Sequence, residues 1–266
     1  MRSLLALLRA SLLTASSYRL ATVLSFVGLI ASVVPLYFVA GALQPVVAES
    51  IRPEGGQYFG FLLVGLASIY LLSAAVGAVP GALAGSIGSG TFESLLVTRT
   101  PLPVLLLGLT AYSLLQGILR ATLLLGGAVL VGVPIFWSAL PFVAVILVLL
   151  LVTYGAIGLV AASLVLVFRT SGPLITAVVA GSGLLGGAYY STTVIPSWLQ
   201  SISAVVPLTY ALRSTRMLLL NGSPLAAVVT DVAILALMTT VSAVVGGVAF
   251  AVALRHARVA GTLSQY

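Results

Sequence analysis

A chain of 266 residues with 6% charged and 61% hydrophobic residues and a mean hydropathy of +1.27 is not a soluble globule, for which about 25% charged residues is typical. Its net charge of +7 comes from eleven Arg against four acids, and because the Arg stand singly between apolar runs they form no basic stripe for nucleic acid. The chain has no Lys, no Cys and a single His. It therefore cannot supply the Lys of a phosphate-binding P-loop or a zinc site built on Cys or paired His.

Other chemistry is equally out of reach. His256 stands beyond the last apolar run beside Arg255 and Arg258, away from any nucleophile it could activate. An aspartyl dyad needs two Asp, and Asp231 is alone. No catalytic or metal-binding residue is assigned, and the chain is not expected to be an enzyme by itself. A hydrocarbon core about 30 Å thick needs roughly 20 apolar residues per helix, so the expectation is an all-α polytopic membrane protein with one transmembrane domain and six spans.

In residues 1–19 Arg9 interrupts the apolar middle, and on a helix Leu4, Leu8 and Leu12 share one face while Arg2, Arg9 and Ser16 fall on an adjacent one. The pattern fits an uncleaved helix in the membrane interface, with a signal peptide as the alternative. Spans are expected over 20–43, 58–84, 104–131, 139–168, 172–190 and 229–254. The loop after the first span holds Glu49, Arg52 and Glu54 and reads as a solvated connection. Gly77, Gly81 and Gly85 stand four apart near the end of the second span, a spacing that suits close helix packing; the same end could also act as a stiff lever.

Residues 86–100 form a polar island. Thr91 is placed to cap a helix N-terminus, Glu93 falls in the first turn where the helix dipole favours an acid, and Phe92, Leu95 and Leu96 make an apolar face. Pro101 discourages continuation of the helix through Thr100. The run GTFESLLVTRTPLPVLLLG resembles the signature of type 2 ABC transporter permeases, with Gly90, Thr91, Glu93, Leu95 and Gly108 matching and Phe92 replacing the usual Leu. In that family the segment is a cytoplasmic coupling helix docked on a separate ATPase. Ser86 to Ser89 stand where relatives commonly carry charge.

Arg120 lies within the third span. An Arg at the centre of a membrane helix costs about 2.5–3.5 kcal/mol on insertion scales. Two readings are compatible with it: contact with an anionic substrate along the pathway, or a guanidinium that snorkels or pairs with helix-end carbonyls. The fifth span holds five Gly and is either close-packed or deformable. Residues 191–222 are too polar to span yet keep Ile195, Trp198, Leu199 and Ile202 at helical intervals. They resemble the same family's external re-entrant helices through Pro196, Trp198, Leu199, Pro207, Leu208, Thr209, Tyr210, Arg216 and Gly222. Asn221 to Ser223 is also a formal N-glycosylation sequon, a three-residue match.

The resemblance implies the permease subunit of an ATP-driven exporter, working as a homodimer or heterodimer in the lipid bilayer. ATP and Mg would be held by the partner ATPase and no cofactor by this chain. Two other classes compare. An ion-coupled secondary transporter would place acids near mid-membrane, whereas all four acids here fall in loops or near span ends. An ATP-independent scaffold or receptor subunit needs no catalytic group at all.

With both termini cytoplasmic in a cell membrane, Arg2, Arg9, Arg19, Arg99, Arg169, Arg255 and Arg258 lie inside and Arg52, Arg213 and Arg216 outside, as the positive-inside rule favours. Because the chain lacks Cys, single Cys probes at Thr91 and Trp198 test this orientation. The Thr91 probe should be labelled only from the cytoplasmic side and the Trp198 probe only from the opposite side; the reverse pattern would sink the topology.

Overall fold

The computed structural model describes residues 19–91, 101–168 and 170–259. The interfacial helix expected over 1–19 lies almost wholly outside them, as does the helix expected around Phe92, Glu93, Leu95 and Leu96. The described residues form helices joined by turns, without a strand. They form α1 (Arg19–Val47), α2 (Tyr58–Gly88), α3 (Leu102–Leu130), α4 (Leu140–Phe168), α5 (Gly172–Leu185), α6 (Ser197–Ser203), α7 (Pro207–Leu219) and α8 (Val229–Val259), with single 3-10 turns between several of them. Five of these, α1–α4 and α8, carry apolar stretches long enough to cross a bilayer. The chain is thus an all-α polytopic membrane protein.

Helix α2 is the hub. Its most apolar window is 67% buried, against 11% to 39% for the other four long helices, and it packs extensively on α3 and α4 while touching α1, α5 and α7. Around it, α1, α3 and α8 turn large apolar side chains outward, among them Phe38, Leu107, Leu119, Val244 and Val252. Such a surface is unsuited to water over so large an area and matches hydrocarbon.

Between helices in lipid there is no hydrophobic drive, so close backbone approach and interhelical hydrogen bonds hold the bundle. The closest approaches are made at glycines. A Cβ at Gly158 of α4 would sit 2.7 Å from the Val76 carbonyl oxygen of α2, one at Gly246 of α8 would run into the Ala156 carbonyl of α4, and one at Gly117 of α3 into Ala74 of α2. Hydroxyl pairs reinforce these crossings: Thr153 and Thr239 bond at 2.7 Å between α4 and α8, and Tyr154 donates to Ser182 at 2.9 Å between α4 and α5. The glycines singled out by their spacing behave differently. Among the described residues nothing lies within 4 Å of a Cβ at Gly77, Gly81 or Gly85, so they make no close crossing there.

Several features depart from the sequence expectation, among them the ends of α1 and α8, at Val47 and Val259 rather than 43 and 254. Helix α2 does not stop at residue 84 but continues through Pro80 and on to Gly88, taking in the first residues of the polar island. It then closes in a Schellman arrangement, with Gly90 at φ +66° and the Gly90 and Thr91 amides donating to the Ile87 and Ser86 carbonyls, each at 3.0 Å. Only glycine adopts that backbone without penalty. Helix α5 ends at Leu185 rather than 190; at 14 residues it is about 21 Å long, and Gly187 at φ +75° turns the chain away. Finally, residues 48–57 are not a solvated loop, since Ile51 and Glu54 are buried.

Candidate functional site

At the end of the bundle where α1 finishes and α2 begins, four connections converge on α7. That helix starts at Pro207, which fits the first helical turn because its missing N–H has no intrahelical role there. Thr209 donates its hydroxyl to the Ser203 carbonyl at 2.8 Å, and Tyr210 donates to the Ala204 carbonyl at 2.8 Å. Together they fix the corner between α6 and α7. One face of α7 is then fully buried, and it carries Arg216.

Arg216 is 2% exposed, and its guanidinium is the centre of the arrangement. One terminal nitrogen donates to Glu54 Oε2 at 3.1 Å and to the Gly187 carbonyl at 2.9 Å. The other donates to the Phe61 carbonyl at 3.0 Å and the Ala188 carbonyl at 2.9 Å. Its central carbon lies over the Phe61 ring, 3.3 Å from the ring centre, a cation–π contact. Ser191 completes the shell, donating to the second Glu54 oxygen at 3.5 Å. Burial pushes the Arg216 guanidinium down to about 10, against the opposing pull of Glu54, so the group stays charged at neutral pH.

This approach requires Gly65 on α2, where a Cβ would collide with the Ala188 carbonyl and stand 3.0 Å from an Arg216 nitrogen. The neighbouring turn is tied in by its backbone and side chains. Asn221 donates to the Pro53 carbonyl at 3.2 Å and the Phe136 amide to the Leu219 carbonyl at 3.0 Å. Asn221 of the formal sequon thus has a structural task. A second ion pair joins α7 to α8: Arg213 grips Asp231 with two nitrogens, Nε at 2.6 Å. Asp231 also lies in the first turn of α8, where the helix dipole favours an acid. Its hydrogen bonds hold Arg213 above its usual value.

Pro207, Thr209, Tyr210 and Arg216 are therefore brought together on one short helix. Gly90 and Thr91 lie at the opposite end of α2, as its terminator. Arg120 stands apart on α3, bonded to Gln116 at 3.2 Å and 5.9 Å from the Tyr70 ring centre. Glu54, Phe61, Gly65 and Asp231 are partners that sequence reasoning did not assign. Among the described residues no group of three or more His, Cys, Asp or Glu could hold a metal.

Breaking one side of a buried ion pair costs about 3–5 kcal/mol because the other charge is stranded. Glu54→Gln and Arg216→Gln, each removing one charge of the pair, should each lower the thermal midpoint of the purified chain in lipid nanodiscs by about 10 °C, at 2–4 °C per kcal/mol for a chain of this size. Glu49→Gln, removing an acid whose ion pair with Arg52 is highly exposed, should change it by less than about 2 °C. Midpoints for all three within a few degrees of the unaltered chain would deny the node its structural role.

Comparison with known proteins gives the arrangement a family. The profile of the ABC-2 type transporter family matches residues 69–220, more than half of the chain. That range includes the polar island, Arg120 and all of α7, but leaves out Glu54 and α8. The chain is also 28% identical over 174 residues to the inner membrane transport permease YadH of Escherichia coli strain K12, covering 65% of this chain and 68% of the relative's. The YadH proteins of Escherichia coli O157:H7 and Shigella flexneri match to the same extent. Many apolar helices built around a polar, ion-paired cap, together with these matches, make this chain a member of the ABC-2 type transporter family, a multi-pass membrane transport permease.

Proposed function

We propose that the chain is the membrane subunit of an ATP-driven exporter whose ATPase is a separate protein. The observation that carries this is the family match across residues 69–220 in a chain with no Lys from which to build a P-loop of its own. In this proposal ATP and Mg bind the partner ATPase, which docks on residues 86–100 at the cytoplasmic face. Glu93 pairs with a basic group, and Phe92, Leu95 and Leu96 fill an apolar groove. The geometry of α2 supports the coupling. Its 31 residues run unbroken from Tyr58 to Gly88, about 46 Å, and the Gly90 closure joins the docking segment directly to its end. A push at that end is carried to the Arg216 node at the other.

In the same proposal both termini are cytoplasmic and α1–α5 with α8 provide six passages. Helix α5 completes its own through the 186–191 turn, and α6 with α7 forms the external re-entrant cap. Two copies, identical or related, enclose the pathway.

The test is co-purification from membranes of the full-length tagged chain with an ABC ATPase and measurement of ATP hydrolysis. The unaltered chain should bring down an ATPase whose turnover changes in its presence. Glu93→Arg should reduce the amount recovered about tenfold, the equivalent of about 1.4 kcal/mol, and Glu93→Ala should do so less severely. Recovery of the ATPase unchanged in both variants would remove Glu93 from the coupling, and no ATPase with the unaltered chain would favour an ATP-independent scaffold.

A further inference from the structure

Helix α3 carries a polar ladder that the coupling scheme does not use. Tyr112, Gln116 and Arg120 follow one another at intervals of four residues and so share a face. Gln116 donates to the Tyr112 hydroxyl and accepts from Arg120, while the Tyr70 ring of α2 flanks the guanidinium. All four side chains are half-buried. Gln116 is the middle residue of α3, and Arg120 is about 6 Å from it along the axis. Side chains on a helix lean towards its N-terminus. Bonding to Gln116, one turn back, therefore directs the Arg120 head towards mid-membrane and not to the nearer helix end.

The cation is under-served there. Of five donors, one meets Gln116, and Nε is buried without a hydrogen-bond partner. Among the described residues no carboxylate pairs with it. Beside the ladder Leu115, Leu119 and Leu123 are exposed, and among the described residues α2 alone packs extensively on α3. A cation with spare donors, next to an open apolar strip, matches one chemistry: a headgroup with a single negative charge joined to a hydrocarbon body.

We infer that the Tyr112–Gln116–Arg120 face of α3, with Tyr70, binds an amphipathic anion drawn from the bilayer. The anionic group sits on Arg120 and the chain lies along Leu115, Leu119 and Leu123. Binding rests on this chain alone; only the further step, that such a molecule is cargo, rests on the transport proposal.

The test uses the full-length chain without any ATPase, in phosphatidylcholine nanodiscs containing a small fraction of phosphatidylglycerol, with retained lipids counted by native mass spectrometry. Preference for phosphatidylglycerol over phosphatidylcholine should fall about tenfold in Arg120→Gln, the weight of one charge-assisted contact. It should stay within about threefold of the unaltered chain in Arg120→Lys, which keeps the charge but loses the fork, and be unchanged in Arg255→Gln, which removes a charge at a helix end. Arg120→Gln takes a charge out of the membrane interior and so does not burden insertion. An unaltered preference in Arg120→Gln, or an equal loss in Arg255→Gln, would overturn the site. Since no ATPase is present, either failure leaves the coupling proposal untouched.

Discussion

Everything at one end of this protein is arranged around a charge that the fold keeps out of water. Desolvating a guanidinium carries a penalty of several kcal/mol that attraction to a single carboxylate offsets only when further hydrogen bonds satisfy the ion. Arg216 meets most of that condition, its two terminal nitrogens bonding Glu54 and three carbonyl oxygens while Nε is left without a partner. Those acceptors come from three separate places: the turn after α1, the first turns of α2 and the turn after α5. Moving any of them away would leave the cation unsatisfied, so the ion sets the relative position of all three against α7. Gly65 leaves the space through which the 187–188 turn reaches it.

The opposite end of α2 is organised by backbone rather than charge. Gly90 in the left-handed region and the two amide bonds behind it stop the helix and start the segment that carries Glu93. One long helix thus has an ion-locked end and a hydrogen-bonded stop, with glycine crossings to α3 and α4 between them. In a bilayer, where apolar side chains gain nothing by leaving lipid for one another, such crossings and the hydroxyl pairs carry the packing. One continuous helix joining both ends suits the coupling we propose.

Much of this was legible in the sequence, for unequal physical reasons. Apolar length fixes where helices can cross, and α2, α3 and α4 begin within two residues of expectation. Local windows fail where the decisive partner is remote. Glu54 sits in a Pro/Gly-rich stretch that reads as solvated, yet its partner Arg216 lies 162 residues on. The small-residue spacing of Gly77, Gly81 and Gly85 looks like a packing motif, whereas the crossings fall on Gly117, Gly158 and Gly246, whose roles depend on which helix lies opposite. Pro207 to Tyr210 followed by two Arg marks a short amphipathic helix that needs acids, and the sequence offers only four. For Arg120 the sequence shows a cation inside an apolar run but not its neighbour, which is Gln116 one turn back.

If Arg216 ties the segments together, loosening it must be felt in all of them at once. Hydrogen–deuterium exchange of the full-length chain in nanodiscs, comparing the unaltered protein with Arg216→Lys, reads this directly. Exchange should rise together in residues 52–56, 186–191 and 220–223, while the middle of α3 and α8 stays as it was. A rise confined to α7, with the other turns as protected as before, would contradict a shared ionic anchor.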